Sequence, residues 1–106
     1  MMSGYRILWL MTIFDLPVMT KTERKNATEF RNTLLDLGFE MVQFSVYMKY
    51  CAGKEQAEVI QNKIKKCVPE YGNVKLLRIT DKQFGNIIHL GKHSRRNINS
   101  EQLALF

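Results

Sequence analysis

Cysteine, proline, histidine and acidic charge are all scarce in this 106-residue sequence, and each scarcity narrows what it can be. Two cysteines, Cys51 and Cys67, do not make a disulfide scaffold; the expectation is a reducing, cytosolic compartment with both thiols buried. The two histidines, His89 and His93, complete a Cys₂His₂ inventory, but the spacing argues against zinc. The cysteines stand sixteen apart rather than two to four, and Gly91 interrupts a regular helix between the histidines. There is no glycine-rich phosphate loop, no nucleophile elbow and no cysteine–histidine pair close in sequence. No apolar run is long enough to span a bilayer. The run over residues 5–14 is followed by Asp15 and Pro17 where a small-residue cleavage site should stand, so it does not read as a signal peptide.

What is present fits a single domain with a modest core. Hydrophobic residues make up 45% and charged residues 25%, which argues against disorder. Sixteen Lys and Arg against ten Asp and Glu give a net charge of +6, an excess that favours a polyanionic partner. The imbalance sharpens towards the end: Lys75, Arg78, Lys82, Lys92, Arg95 and Arg96 are set against only Asp81 and Glu101.

Tyr5–Phe14 contains eight hydrophobic or aromatic residues in ten and reads as a buried strand that ends in Asp15-Leu16-Pro17. Thr20-Lys21-Thr22-Glu23 is a capping box, Ala27, Phe30, Leu34 and Leu37 recur at helical spacing, and Gly38 supplies a left-handed stop. From Phe39 to Tyr50 the period changes to two: Val42, Phe44, Val46, Met48 and Tyr50 share one face, and Gln43, Ser45, Tyr47 and Lys49 the other. This is long for one strand, so two strands joined near residues 43–45 or one kinked strand are expected. Gly53 introduces a second helix with Ala57, Ile60, Ile64 and Cys67 buried, and Pro69 ends it. Val74–Thr80 reads as a strand and Ile87–Leu90 as a short added strand. Residues 1–91 form the domain; residues 92–106 are a basic linker and an apolar tail. The order predicts an α+β, ferredoxin-like βαββαβ sandwich with both helices on one face. The added strand and tail are suited to covering a sheet edge in a second chain, so a homodimer is expected.

Asp15 is the sharpest candidate residue, because a carboxylate at the tip of a buried strand is held rigidly yet opens to solvent. Two aspartates brought together by a two-fold axis could share one Mg²⁺ and activate water against a phosphodiester. The simpler reading has Asp15 ordering the Leu16-Pro17 turn by bonding nearby amides, and local sequence favours it. Lys92, His93, Arg95 and Arg96 form the densest basic cluster, read as a phosphate-neutralising site or as a solvated linker. Arg24 and Arg31 flank the packed face of the first helix and read as a phosphate clamp or as solvated helix flank. Among aromatics, Tyr5, Phe44 and Tyr47 are candidates for base stacking, with Tyr47 the one not assigned to the core. Met41 and Met48 read as core or dimer filling.

Taken together, the strand ending in Phe14-Asp15, the Arg-bearing helix and Gly38-Phe39-Glu40-Met41-Val42-Gln43-Phe44-Ser45-Val46-Tyr47 resemble one family. It is the small CRISPR-associated endonuclease-like subunit of the spacer-acquisition machinery. The resemblance covers about residues 5–90, and Arg78-Ile79-Thr80-Asp81-Lys82-Gln83-Phe84 is similar to members that accompany single-effector (type II) systems. It implies a ferredoxin-like dimer in which Asp15, paired across the dimer, holds Mg²⁺ or Mn²⁺ for cleavage of RNA or double-stranded DNA. It also implies an architectural role, bridging two dimers of a larger integrase subunit around a DNA duplex. In that role Arg24, Arg31, Arg78, Lys92, Arg95 and Arg96 would track phosphates, and Leu103, Leu105 and Phe106 would dock on the partner. A free-standing, toxin-like endoribonuclease of the same fold is the alternative. The chain departs from the family pattern in one respect: many relatives carry an arginine close after the aspartate, whereas Leu16–Glu23 contains only Lys21.

Overall fold

The computed structural model describes residues 7–91. Four strands and three helices follow in the order β1 (Leu8–Asp15), α1 (Lys21–Asp36), β2 (Glu40–Gln43), β3 (Val46–Cys51), α2 (Lys54–Lys65), β4 (Asn73–Thr80) and α3 (Asp81–Gly85). The strands form one antiparallel sheet in the order β2-β3-β1-β4, the arrangement expected of a ferredoxin-like sandwich. The apolar run thus becomes a central strand, flanked on both sides, which is why it tolerates so few polar residues.

Register assigns the faces. Leu8, Leu10, Thr12 and Phe14 of β1 lie opposite Cys51, Lys49 and Tyr47 of β3 and Thr80, Arg78, Leu76 and Val74 of β4. This is the face the helices cover. Leu10, Phe14, Tyr47 and Cys51 are buried there with Ala27, Phe30 and Leu34 of α1 and Ala57, Ile60 and Ile64 of α2. Phe14 anchors the layer, edge-on to Phe30 at 5.3 Å and stacked with Tyr47 at 5.5 Å.

The local signals read from sequence account for the helices. Thr20 and Glu23 form a reciprocal capping box at the start of α1. Gly38, at φ +97°, reverses the chain after it. No basic residue stands in the last turn of α1, and the Lys49 ammonium lies against Gly38 there, offsetting the negative helix end. Gly53 is the N-cap of α2, whose buried stripe is Ala57, Ile60 and Ile64.

The period-two stretch forms two strands joined at Phe44–Ser45, as one of the two expectations had it, and its packed side is the one carrying Tyr47. Other expectations change. Tyr47 is 1% exposed and is a core residue, which removes it as a base-stacking platform; of the two methionines expected as core or dimer filling, Met48 is buried, while Met41 lies outside the core on edge strand β2. Finally, Ile87–Leu90 forms no strand within this chain; a short helix, α3, precedes it instead. Its cause is a second capping box, in which Thr80 Oγ1 accepts from the Gln83 amide and Gln83 Oε1 accepts from the Thr80 amide.

Candidate active site at the end of the first strand

Asp15 is the last residue of β1 and pairs in register with Asn73 at the start of β4. Alternation puts it on the sheet face opposite the helices, in line with Trp9, Met11 and Ile13. The side chain is exposed, and none of the side-chain hydrogen bonds among the described residues involves it. The simpler reading of this residue, a turn-ordering cap, is therefore not what the carboxylate does.

Its backbone, by contrast, is held on both sides. Next to it, the Phe14 amide donates to the Ser45 carbonyl at 3.0 Å, tying the tip of the β2–β3 hairpin to the end of β1. Ser45 adopts φ +63°, a conformation that costs a residue with a side chain about 1–2 kcal/mol, so the surrounding pairing maintains it. On the other side Gly72, at φ +104°, packs against the Asp15 carbonyl. Leu16 is buried immediately after the aspartate.

The loop that follows is fixed by polar contacts. Glu23 Oε1 accepts from the Met19 and Thr20 amides at 2.9 Å, and Arg24 Nη1 donates to the Val18 and Met19 carbonyls at 3.2 Å. Arg24, expected as a phosphate contact, thus clamps this loop with one of its nitrogens. Arg78 lies on the helix-covered side of β4 and donates to Gln61 Oε1 of α2 at 2.9 Å, away from the face that carries Asp15. Arg31 is half-buried on α1. The structure does not gather these three arginines around Asp15. Lys92, Arg95, Arg96, Leu103, Leu105 and Phe106 lie outside the described residues, as do Tyr5 and His93.

The basic residue that shares the aspartate's face is Lys75. It is exposed, sits opposite Ile13 and is one pleat from Asn73. Its strand position and parity carried that signal, but both need the β1–β4 register to be read.

Among the described residues no three His, Cys, Asp or Glu side chains come together as a metal site. One chain offers one free, hard oxygen donor at Asp15, which suits Mg²⁺ or Mn²⁺ only if further ligands come from elsewhere. Neither cysteine is positioned for chemistry. Both are free thiols, and burial pushes each up from its ordinary value: Cys51 against the weaker opposing pull of Lys49 and Arg78, Cys67 against its hydrogen bonds. An open cleft of about 240 Å³ lies behind the loop, between Leu16, Pro17, Thr20, Glu23, Pro69 and Tyr71, and holds no candidate nucleophile.

The sheet face bearing Asp15 is apolar and largely uncovered. Ile13, Leu77 and Tyr50 are 36%, 41% and 50% exposed on it. Among the described residues, cover comes at its Trp9 end, where Phe84 of α3 stacks on the indole at 3.8 Å and Asp81 accepts from Trp9 Nε1 at 2.9 Å. Tyr50 meets the same indole edge-on at 5.7 Å.

A sequence model of the family described as CRISPR associated protein Cas2 matches residues 8–87, from the start of β1 to just beyond α3. The chain belongs to the Cas2 family. It is similar to the CRISPR-associated endoribonuclease Cas2 of Paracidovorax avenae, with 45% identity over 91% of this chain and 89% of that one. Similarity to the protein of the same name from Flavobacterium psychrophilum is 46% identity over 99% of this chain and 93% of that one. A crystal structure of a cas2 protein superposes with a TM-score of 0.60, covering 88% of this chain and 95% of that one; at 17% identity it speaks for the fold. The Cas2 match contains Asp15, the Ser45 hairpin tip and Gly72, so the site described here lies inside the family's own extent. No helix among the described residues is long and apolar enough to cross a membrane.

Proposed function

We propose that this Cas2 chain acts as a homodimer in CRISPR adaptation, binding double-stranded DNA and bridging dimers of the larger integrase subunit. In the same reading its two Asp15 carboxylates hold Mg²⁺ or Mn²⁺ for phosphodiester hydrolysis. One observation carries this: a carboxylate with no side-chain hydrogen bond among the described residues stands at the end of a partly exposed apolar sheet face. Two-fold pairing of that face would bury the exposed Ile13 and Leu77 and draw the two aspartates towards a common axis. A metal bound there supplies a water of lowered pKa and neutralises developing phosphate charge. The chain's own residues do the rest: paired Asp15 carboxylates give the charge that retains a divalent cation, and Lys75 on the same face attracts the phosphate backbone.

For duplex binding, the +6 net charge supplies the driving force. Arg24 and Arg78 each commit one guanidinium nitrogen within the chain and keep further donors for phosphate. With Arg31 and the basic Lys92, Arg95 and Arg96, they would track a duplex, while Leu103, Leu105 and Phe106 dock on the integrase subunit. The test is duplex binding across a salt series for wild type and Asp15→Asn, with and without the integrase subunit and with residues 101–106 removed. The expected result is steep, equal salt dependence for wild type and Asp15→Asn, and loss of integrase binding with the tail. Salt-insensitive or absent duplex binding contradicts the DNA reading, and unchanged integrase binding contradicts the tail's role.

A second reading is a metal-dependent endoribonuclease acting on its own; the relatives' names support its RNA-cleaving part. Cleavage of RNA with duplex DNA left intact, and growth arrest on expression, would select it.

A further inference from the structure

We propose that Gly72 is a positioning residue for Asp15, setting the aspartate's place from a distant part of the chain. The inference rests on the reading of Asp15 as a metal-holding carboxylate. Because the Asp15 side chain has no hydrogen-bond partner among the described residues, only its backbone determines where the carboxylate stands. Phe14 is tied to Ser45 on the β3 side, and Gly72 closes the β4 side.

The geometry on that side leaves no room for a side chain. A Cβ at residue 72 would lie 2.7 Å from the Asp15 carbonyl oxygen, 2.8 Å from Leu16 Cδ2 and 3.1 Å from Leu16 Cα. Two of these three atoms are backbone, which cannot swing aside. Relief to an ordinary van der Waals contact near 3.4 Å moves the Asp15 carbonyl or the Gly72 turn by about 0.7 Å. Functional constellations tolerate roughly 0.5 Å, so the displacement is large enough to matter at a site shared by two carboxylates.

Gly38 is a matched control. It also has positive φ, +97°, but an added Cβ there meets only the far end of the flexible Lys49 side chain. Both glycine substitutions strain a turn; only one presses on Asp15.

The experiment compares wild type, Gly72→Ala, Gly38→Ala and Asp15→Asn as full-length chains. The readouts are Tm, the NMR shifts of the Asp15 amide and carboxyl carbon, Mn²⁺ affinity and Mg²⁺-dependent cleavage. For Gly72→Ala we expect displaced Asp15 shifts and Mn²⁺ affinity lowered about 10- to 100-fold, the range for loss of a group that orients a metal ligand. Gly38→Ala should lower Tm comparably while keeping the wild-type Asp15 shifts and Mn²⁺ affinity. Wild-type Asp15 shifts in Gly72→Ala overturn the proposal, as does wild-type Mn²⁺ affinity. If Asp15→Asn binds Mn²⁺ as tightly as wild type, the metal reading itself falls, and the Asp15 shifts in Gly72→Ala alone decide the positioning role. Should Gly72→Ala fail to fold, Gly72→Asn carries the same Cβ on a residue more tolerant of positive φ and is read in the same way.

Discussion

Asp15 and Thr12 stand three residues apart on the same strand and show opposite relations between a polar group and its surroundings. Asp15 is exposed and makes no side-chain hydrogen bond among the described residues, so Asp15→Asn should change stability by less than about 0.5 kcal/mol while abolishing metal-dependent cleavage. Thermal unfolding and a cleavage assay on one preparation check both halves. Thr12 is fully buried in the core, and its hydroxyl has no hydrogen-bond partner among the described residues. Thr12→Val keeps the shape and removes that hydroxyl, and should stabilise the fold by about 1 kcal/mol, a Tm rise of several degrees at fixed protein concentration. The thiols give a pH prediction. Their raised values mean the neutral form is favoured in the folded state, so their contribution to stability is present below the ordinary thiol range and is lost as pH rises through it. Stability should hold level to about pH 8 and decline above, and substituting both cysteines by serine or alanine should flatten that decline. At this scale the sequence announced Asp15 because an apolar run stopped on it. Gly72 was silent, since what makes it matter is a contact with residues more than fifty positions earlier. Tyr47 misleads because Val46, Met48 and Tyr50 make the opposite face of β3 the more apolar one, while Tyr47 shares its packed face with Lys49 and Cys51.

The helices and the hairpin show where local signals suffice. Both capping boxes form as their residue types dictate, but only the first is followed by apolar residues at helical spacing. Thr80-Asp81-Lys82-Gln83 has the same pattern as Thr20-Lys21-Thr22-Glu23, and the apolar Ile87–Leu90 drew attention past it. The resulting α3 is short and depends on tertiary support, which Trp9 provides through the Phe84 stack and the bond to Asp81. Phe84→Ala should undock α3, costing about 1–2 kcal/mol. Trp9 is the sole tryptophan, so the change is read directly as a red shift of its fluorescence. An unchanged emission maximum would mean that α3 docks without the stack.

At the scale of the molecule, the order of helices and strands was enough for the α+β sandwich, because two helices separated by a strand pair have few ways to cover an antiparallel sheet. What the pattern withheld was the far side of that sheet. β1 is apolar on both faces, yet the helices cover only one, and the other leaves Ile13 and Leu77 in solvent. Under the proposed homodimer, a second copy would cover this excess. Leu77→Lys should convert the protein to a monomer in analytical ultracentrifugation while leaving its far-ultraviolet circular dichroism intact, since the substitution touches no helix contact. The same variant should lose metal-dependent cleavage although Asp15 remains, because one chain presents a single carboxylate and no three-ligand cluster among its described residues.

The paired Asp15 site is tested most directly by mixed dimers. Wild-type and Asp15→Asn chains are co-refolded over a range of ratios, and Mg²⁺-dependent cleavage is measured at constant total protein. If one metal site is built from both copies, activity follows the square of the wild-type fraction, falling to about a quarter at an equal mixture. Activity that falls in simple proportion, or that persists in Asp15→Asn alone, contradicts a site shared by two Asp15 carboxylates.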